Sequence, residues 1–194
     1  MKNQGGLDIT TRSIHLSGFT PIMFDRYAGD NKTQLPVESK MYFVPGTQTL
    51  CLPAANLSSF LSAKNTTSVA KLVGGKSYKA TADAMLSYVQ IEPRDIPLLR
   101  DGVPITFNGF VDGYDKAARI SVNYAVARLD KGIPNPKERP LVELPWALEF
   151  TLRLFRNDMI DETLLRTAFI KGGLALGLGT YRGLYGKFVV EKWE

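Results

Sequence analysis

The chain has 194 residues and a net charge of +5, from 24 Lys and Arg against 19 Asp and Glu, an excess too small to identify a polyanion partner by itself. Its hydrophobic (44%) and charged (22%) fractions are those of an ordinary globular chain, long enough to bury roughly 70% of its unfolded surface in one domain, residues 1–194. A single cysteine, Cys51, excludes an intramolecular disulfide and a cysteine-rich zinc site, and no run reaches the roughly 18 apolar residues of a membrane span, so a cytoplasmic protein is expected.

In chain order, the first predicted element is a short strand in which Ile14 and Leu16 face one way and Ser13, His15 and Ser17 the other, ending at Gly18. A polar loop follows. The segments 38–44 and 49–52 read as strand pieces around a Pro-Gly-Thr turn. Next, Leu57, Phe60 and Leu61 fall on one face of a helix, with Asn56 as its cap. Between Glu38 and Asp83 there is no acidic residue, while Lys40, Lys64, Lys71, Lys76 and Lys79 all lie there. That run fits either a solvated lysine face or the footprint of a polyanion, and Gly74-Gly75 suggests an inserted, projecting element over 64–85. Residues 86–93 return as a strand, 93–118 read as an irregular insertion, and Ile120, Val122, Tyr124 and Val126 alternate with polar neighbours in another strand. With four prolines, 130–145 reads as an exposed loop.

The clearest period of two is Trp146, Leu148, Phe150, Leu152 and Leu154, a half-buried strand. After it, Asn157, Asp158 or Asp161 can cap a helix that places Leu164, Leu165 and Phe169 inward and stops at Gly172-Gly173. A glycine-rich turn then leads into a last strand over 187–193. Stripped of insertions the order is βαββαβ, an α+β, ferredoxin-like or RRM-like arrangement.

The turn Gly177-Leu-Gly-Thr-Tyr-Arg-Gly-Leu-Tyr-Gly-Lys-Phe188 resembles the glycine-rich loop of the RAMP superfamily, the repeat-associated mysterious proteins that build CRISPR effector complexes. A second stretch resembles the same family: a first strand ending at a glycine, a variable loop, and a turn at Pro53 into the helix over 57–61. Here alanines stand where Gly and Ser are usual, and Ser59 where a lysine is common. The resemblance implies an RNA-binding backbone subunit without cofactor or metal. It would hold single-stranded guide RNA, and possible target RNA or DNA, beside other RAMP subunits or copies of itself. Gly177, Gly179, Thr180, Tyr181, Arg182, Gly183, Tyr185 and Lys187, with Asn56, Ser58, Ser59, Lys71 and Lys76, become the candidate nucleic-acid-binding residues. Physically, glycines allow close approach to a phosphate backbone, Arg182 and Lys187 attract it, and tyrosines can stack on bases. Without the resemblance, the same turn reads first as a packing loop whose tyrosines lie in the core.

Some RAMP relatives cut RNA, with a histidine near the first helix or an aspartate in the loop after the first strand. His15 is the only histidine, and Asp30 fits the loop position better than Asp25. An endoribonuclease, or a structural protein using the same fold without RNA, therefore stays open beside the RNA binder.

Overall fold

The computed structural model describes residues 8–30, 33–128 and 134–194. Its main sheet is built on β1 (Ile9–Gly18) and β10 (Ala147–Phe155), paired antiparallel from Ile9↔Phe155 to Ser17↔Ala147. The terminal strand β11 (Phe188–Trp193) joins the free edge of β1. On the other edge of β10, β4 (Val89–Glu92) pairs Thr151–Leu154 and β5 (Asp95–Arg100) pairs Ala147–Leu148. Beyond β5 lie β3 (Cys51–Pro53) and β6 (Val103–Pro104). A second antiparallel sheet has the order β2 (Ile22–Met23), β9 (Pro134–Val142), β8 (Ile120–Arg128), β7 (Tyr114–Asp115).

Helices α1 (Ala54–Ser62), α2 (Val69–Gly74), α3 (Tyr78–Tyr88) and α4 (Glu162–Ala175) contribute to the core that the alternating strands line. Ile14, Leu16, Leu148, Phe150 and Leu152 are buried in one cluster with Leu57, Phe60, Leu61, Leu165 and Phe169. Phe169 stands at its centre, with ring centroids 5.9 Å from Phe60, 6.0 Å from Phe150 and 5.8 Å from Trp193. Removing such a ring costs about 3 to 5 kcal/mol because neighbours this close collapse only partly into the gap. Leu164, expected in the core, is only half-buried.

Several expectations change. Residues 64–85 do not project: they form α2 and α3, with Val69, Ala70, Ala82 and Met85 buried and Ser68 capping α2 by accepting from the Lys71 N–H. Residues 86–88 finish α3 before the strand begins. Of the insertion 93–118, β5 belongs to the main sheet, and Arg100 ties it to the second by donating to the Ala118, Glu143 and Pro145 carbonyls. Residues 38–40 form a 3₁₀ turn, and the expected hairpin is reduced to a single bridge, Phe43↔Leu50. Of the expected loop 130–145, residues 134–142 are a strand, and 130–133 lie outside the described residues. Asn56 sits inside α1 and does not cap it; Pro53 takes the cap position, and the Ala54 N–H reaches the Arg94 carbonyl. Gly172 and Gly173 do not stop α4. They are interior positions where a Cβ would meet the Phe60 ring and the Phe188 main chain at 2.5 Å, so the helix keeps its course only with glycine.

The start of α4 is pinned by two carboxylates. Asp161 caps it by accepting from the Leu164 N–H at 2.7 Å, and Glu162 accepts from Arg12 Nε (2.6 Å), Arg12 Nη2 (2.7 Å) and Trp193 Nε1 (2.9 Å), tying the helix to β1 and β11. The Arg12 hydrogen bond holds the Glu162 carboxyl below its ordinary value, with the Trp193 bond adding to it against the cost of burial. Because the folded pKa is depressed, the stabilisation is fully present above the ordinary carboxylate range and is lost as pH falls through the folded value. Glu162→Gln should therefore melt lower than the wild type at neutral pH, and the gap should close on acidification below about pH 4. A gap independent of pH in thermal melts would contradict this.

Candidate nucleic-acid interface

The glycine-rich turn leaves α4 at Ala175 and folds back over the segment 20–24. Two main-chain hydrogen bonds hold it there, Thr180 N–H to the Met23 carbonyl (2.9 Å) and Gly186 N–H to the Pro21 carbonyl (2.7 Å), and Leu178 N–H to the Gly186 carbonyl (2.9 Å) closes the loop on itself. Side chains would prevent this. At Gly179 a Cβ would run into the Met23 carbonyl, and at Gly186 into the Leu178 carbonyl, with φ of +77° and +70° adding strain for any other residue. These glycines are required by the chain's own backbone, before any ligand is considered.

The folded-back loop closes a cavity of about 250 Å³ against α1 and the 24–42 region. Its polar lining is Asn56, Ser59, Thr180, Arg182 and Asp25; Phe24, Tyr42 and Phe60 supply apolar wall. Six of the sequence candidates thus meet here: Asn56 and Ser59 from α1, and Gly177, Gly179, Thr180 and Arg182 from the loop. Among the described residues, the side chains of Asn56, Ser59, Thr180 and Arg182 have no hydrogen bond or ion pair. By contrast, Ser58 is spent on the Ala54 carbonyl of its own helix.

The remaining candidates lie elsewhere. Tyr181, at φ +51°, is 39% exposed, with Arg139 stacked 4.9 Å from its ring centroid. Gly183 has open space around it, Tyr185 bridges to Arg182, and Lys187 is half-buried where the loop enters β11. Lys71 lies over the Tyr78 ring and donates to the Gly75 carbonyl, and Lys76 is exposed nearby; neither lines the cavity. His15 bonds Glu149 at 2.8 Å on the other face of the main sheet. Asp30 is engaged by the Thr33 N–H and hydroxyl at 2.6 and 2.7 Å, in a turn that does not line the cavity.

Asp25 is the acid that does. Its Oδ2 accepts from Arg139 Nε at 2.7 Å, and Arg139, 5% exposed, has a buried Nη1 without a partner. Lys40 is buried beside them, donating to the Glu138 carbonyl; burial holds its ammonium below the ordinary lysine range, and the attraction of Asp25 works against this. Arg139 was not among the sequence candidates, since 114 residues separate it from Asp25 and no spacing links them.

No family model and no curated protein matches this sequence. Among solved structures, it is similar to a chain in the cryo-EM structure of the Type III-B Cmr-beta bound to cognate target RNA, with a TM-score of 0.58 at 14% identity. The likeness covers 96% of this chain and 60% of that one, so this chain spans about three-fifths of the neighbour's length, and at such identity it is a likeness of fold.

The close-approach account separates two glycines of one loop. Gly186→Ala should lower stability by about 2 to 4 kcal/mol, from a main-chain clash plus positive φ. Gly183→Ala, with φ +96° but nothing near its Cβ, should lose only about 1 kcal/mol. At roughly 2 to 4 °C per kcal/mol for a chain this long, calorimetry resolves the difference, and equal melting shifts would overturn the assignment.

Proposed function

We propose that this chain is a RAMP-type RNA-binding subunit of a CRISPR effector complex, with a ferredoxin-like core and a glycine-rich loop that holds single-stranded guide RNA. The observation that carries this reading is the convergence of the two sequence segments that resemble the family. The loop and the first helix, more than 100 residues apart, line one cavity in which the side chains of Asn56, Ser59, Thr180 and Arg182 have no partner among the described residues. The fold likeness to a chain of an RNA-bound Cmr-beta structure supports the same assignment. Arg182 at the rim, with Lys187 further along the loop, supplies the charge that attracts phosphates; exposed Tyr181 and half-buried Tyr185 offer ring faces to unpaired bases.

Assembly along RNA is assigned to the hairpin of β8 and β9 rather than to 64–85, whose two helices contribute to the core. From Tyr124 and Glu138 outward this two-stranded ribbon has no third strand among the described residues, and Tyr124 and Val126 are 70% and 59% exposed. A lone ribbon is marginal in water and gains from a neighbour that covers it. Placing that neighbour as another copy of the chain accounts for a self-assembling backbone.

Reversing Arg182 and Lys187 to Glu should weaken binding to single-stranded RNA of any sequence. It should also flatten the salt dependence by about 0.7 to 1 unit of log–log slope per lost phosphate contact. The melting temperature should shift only slightly, since neither side chain has a protein partner among the described residues. A folded double variant with unchanged affinity and slope in anisotropy titrations would sink the RNA-binding reading.

A further inference from the structure

We infer that the cavity between the loop and α1 is a socket for a single unpaired guanine, recognised by Asp25, and this rests on the RNA-binding reading above. The volume of about 250 Å³ lies just below the roughly 300 Å³ at which pockets for drug-sized ligands begin, a scale suited to one base. The lining is not that of a phosphate socket. Asp25 places a carboxylate in the wall, and a phosphate beside it would meet like charge.

A base avoids that conflict if it turns donors toward Asp25 and acceptors toward the rest of the wall. Oδ2 of Asp25 is fixed by Arg139, while Oδ1 accepts nothing from the described residues. A carboxylate has about four acceptor sites, and guanine offers it two adjacent donors, N1–H and N2–H₂. Guanine's O6 and N7 are acceptors, matched by the donor groups of Asn56, Ser59, Thr180 and Arg182, all unspent. Adenine and cytosine bring one exocyclic amine next to an acceptor that would face the carboxylate, and uracil brings a single N–H between two carbonyls. Tyr42, half-buried and edge-on to Phe24 at 6.2 Å, gives the base an aromatic wall. The part-buried ion pair with Arg139, itself held against Tyr181, fixes the direction in which Oδ1 points.

The test uses the full chain and labelled uridine decamers carrying one central guanosine, inosine, adenosine or cytidine, titrated by fluorescence anisotropy. The guanosine oligomer should bind about tenfold tighter than the adenosine or cytidine ones, the discrimination expected of one good two-donor contact. Inosine, lacking the N2 amine, should fall between. Asp25→Asn should bring the guanosine-to-adenosine ratio to within about twofold, the ratio being the readout since the variant also disturbs Arg139. Asn56→Ala leaves the Asp25–Arg139 pair intact and should weaken the guanosine oligomer more than the others, so a misfolded Asp25 variant does not decide the matter. Equal affinity for all four oligomers, or a preference that survives both substitutions, overturns the guanine socket while leaving RNA binding standing. Failure of every oligomer to bind overturns both.

Discussion

The contact on which this molecule turns is the touching of two stretches of main chain, the loop at 178–186 against the segment 20–24. Because Gly179 and Gly186 lack side chains, carbonyls of Met23 and Leu178 occupy space that a Cβ would need. The same segment then enters the second sheet, with the Phe24 N–H reaching the Pro140 carbonyl at 3.0 Å. One close approach therefore sets the loop, the base of the β8–β9 hairpin and the cavity relative to the main sheet. Packing and binding are not rival explanations of such a turn. Gly177, Gly179 and Gly186 are consumed internally, and Thr180, Tyr181 and Arg182 are carried on the turn that they shape.

Charge follows the same logic. The cavity wall carries one acid, and three cations surround it: Arg139 paired to it, Arg182 on the rim, and Lys40 buried behind. Arg139 is buried and Asp25 only partly so, and removing either leaves the other without its partner, so the two stabilise as a unit whatever the cavity holds. Arg139 also belongs to β9, so the cavity wall and the hairpin share a residue.

Much of this was legible in the sequence, and the gaps have physical causes. The alternation from Trp146 to Leu154 and the helical spacing of Leu165 and Phe169 mark elements with one buried face, which is the pattern periodicity detects. The helices at 69–88 escaped because their buried residues are largely small, with Ala70, Ala82 and Ala84 where a larger residue would show the period. Strand β9 escaped because of its prolines. Pro140 faces its carbonyl toward Phe24, away from β8, and Pro134 and Pro136 share that parity, so none of the three withholds a donor from the ladder. The cavity was half legible: loop and helix could be named, but the Asp25–Arg139 pair is a product of folding alone.

The main sheet and the loop differ in what their polar groups already do. The sheet's charged side chains are tied up in cross-strand contacts, His15 with Glu149 and Arg153 with Glu92, the latter also accepting from Gln90. Groups paired in this way must exchange one partner for another to bind a ligand, and such an exchange contributes little net free energy. Around the loop the balance is reversed, since Asn56, Ser59, Thr180 and Arg182 exchange only water. Polar atoms that satisfy no internal demand are the ones from which recognition can be built, and here they gather where the glycines let two backbones meet.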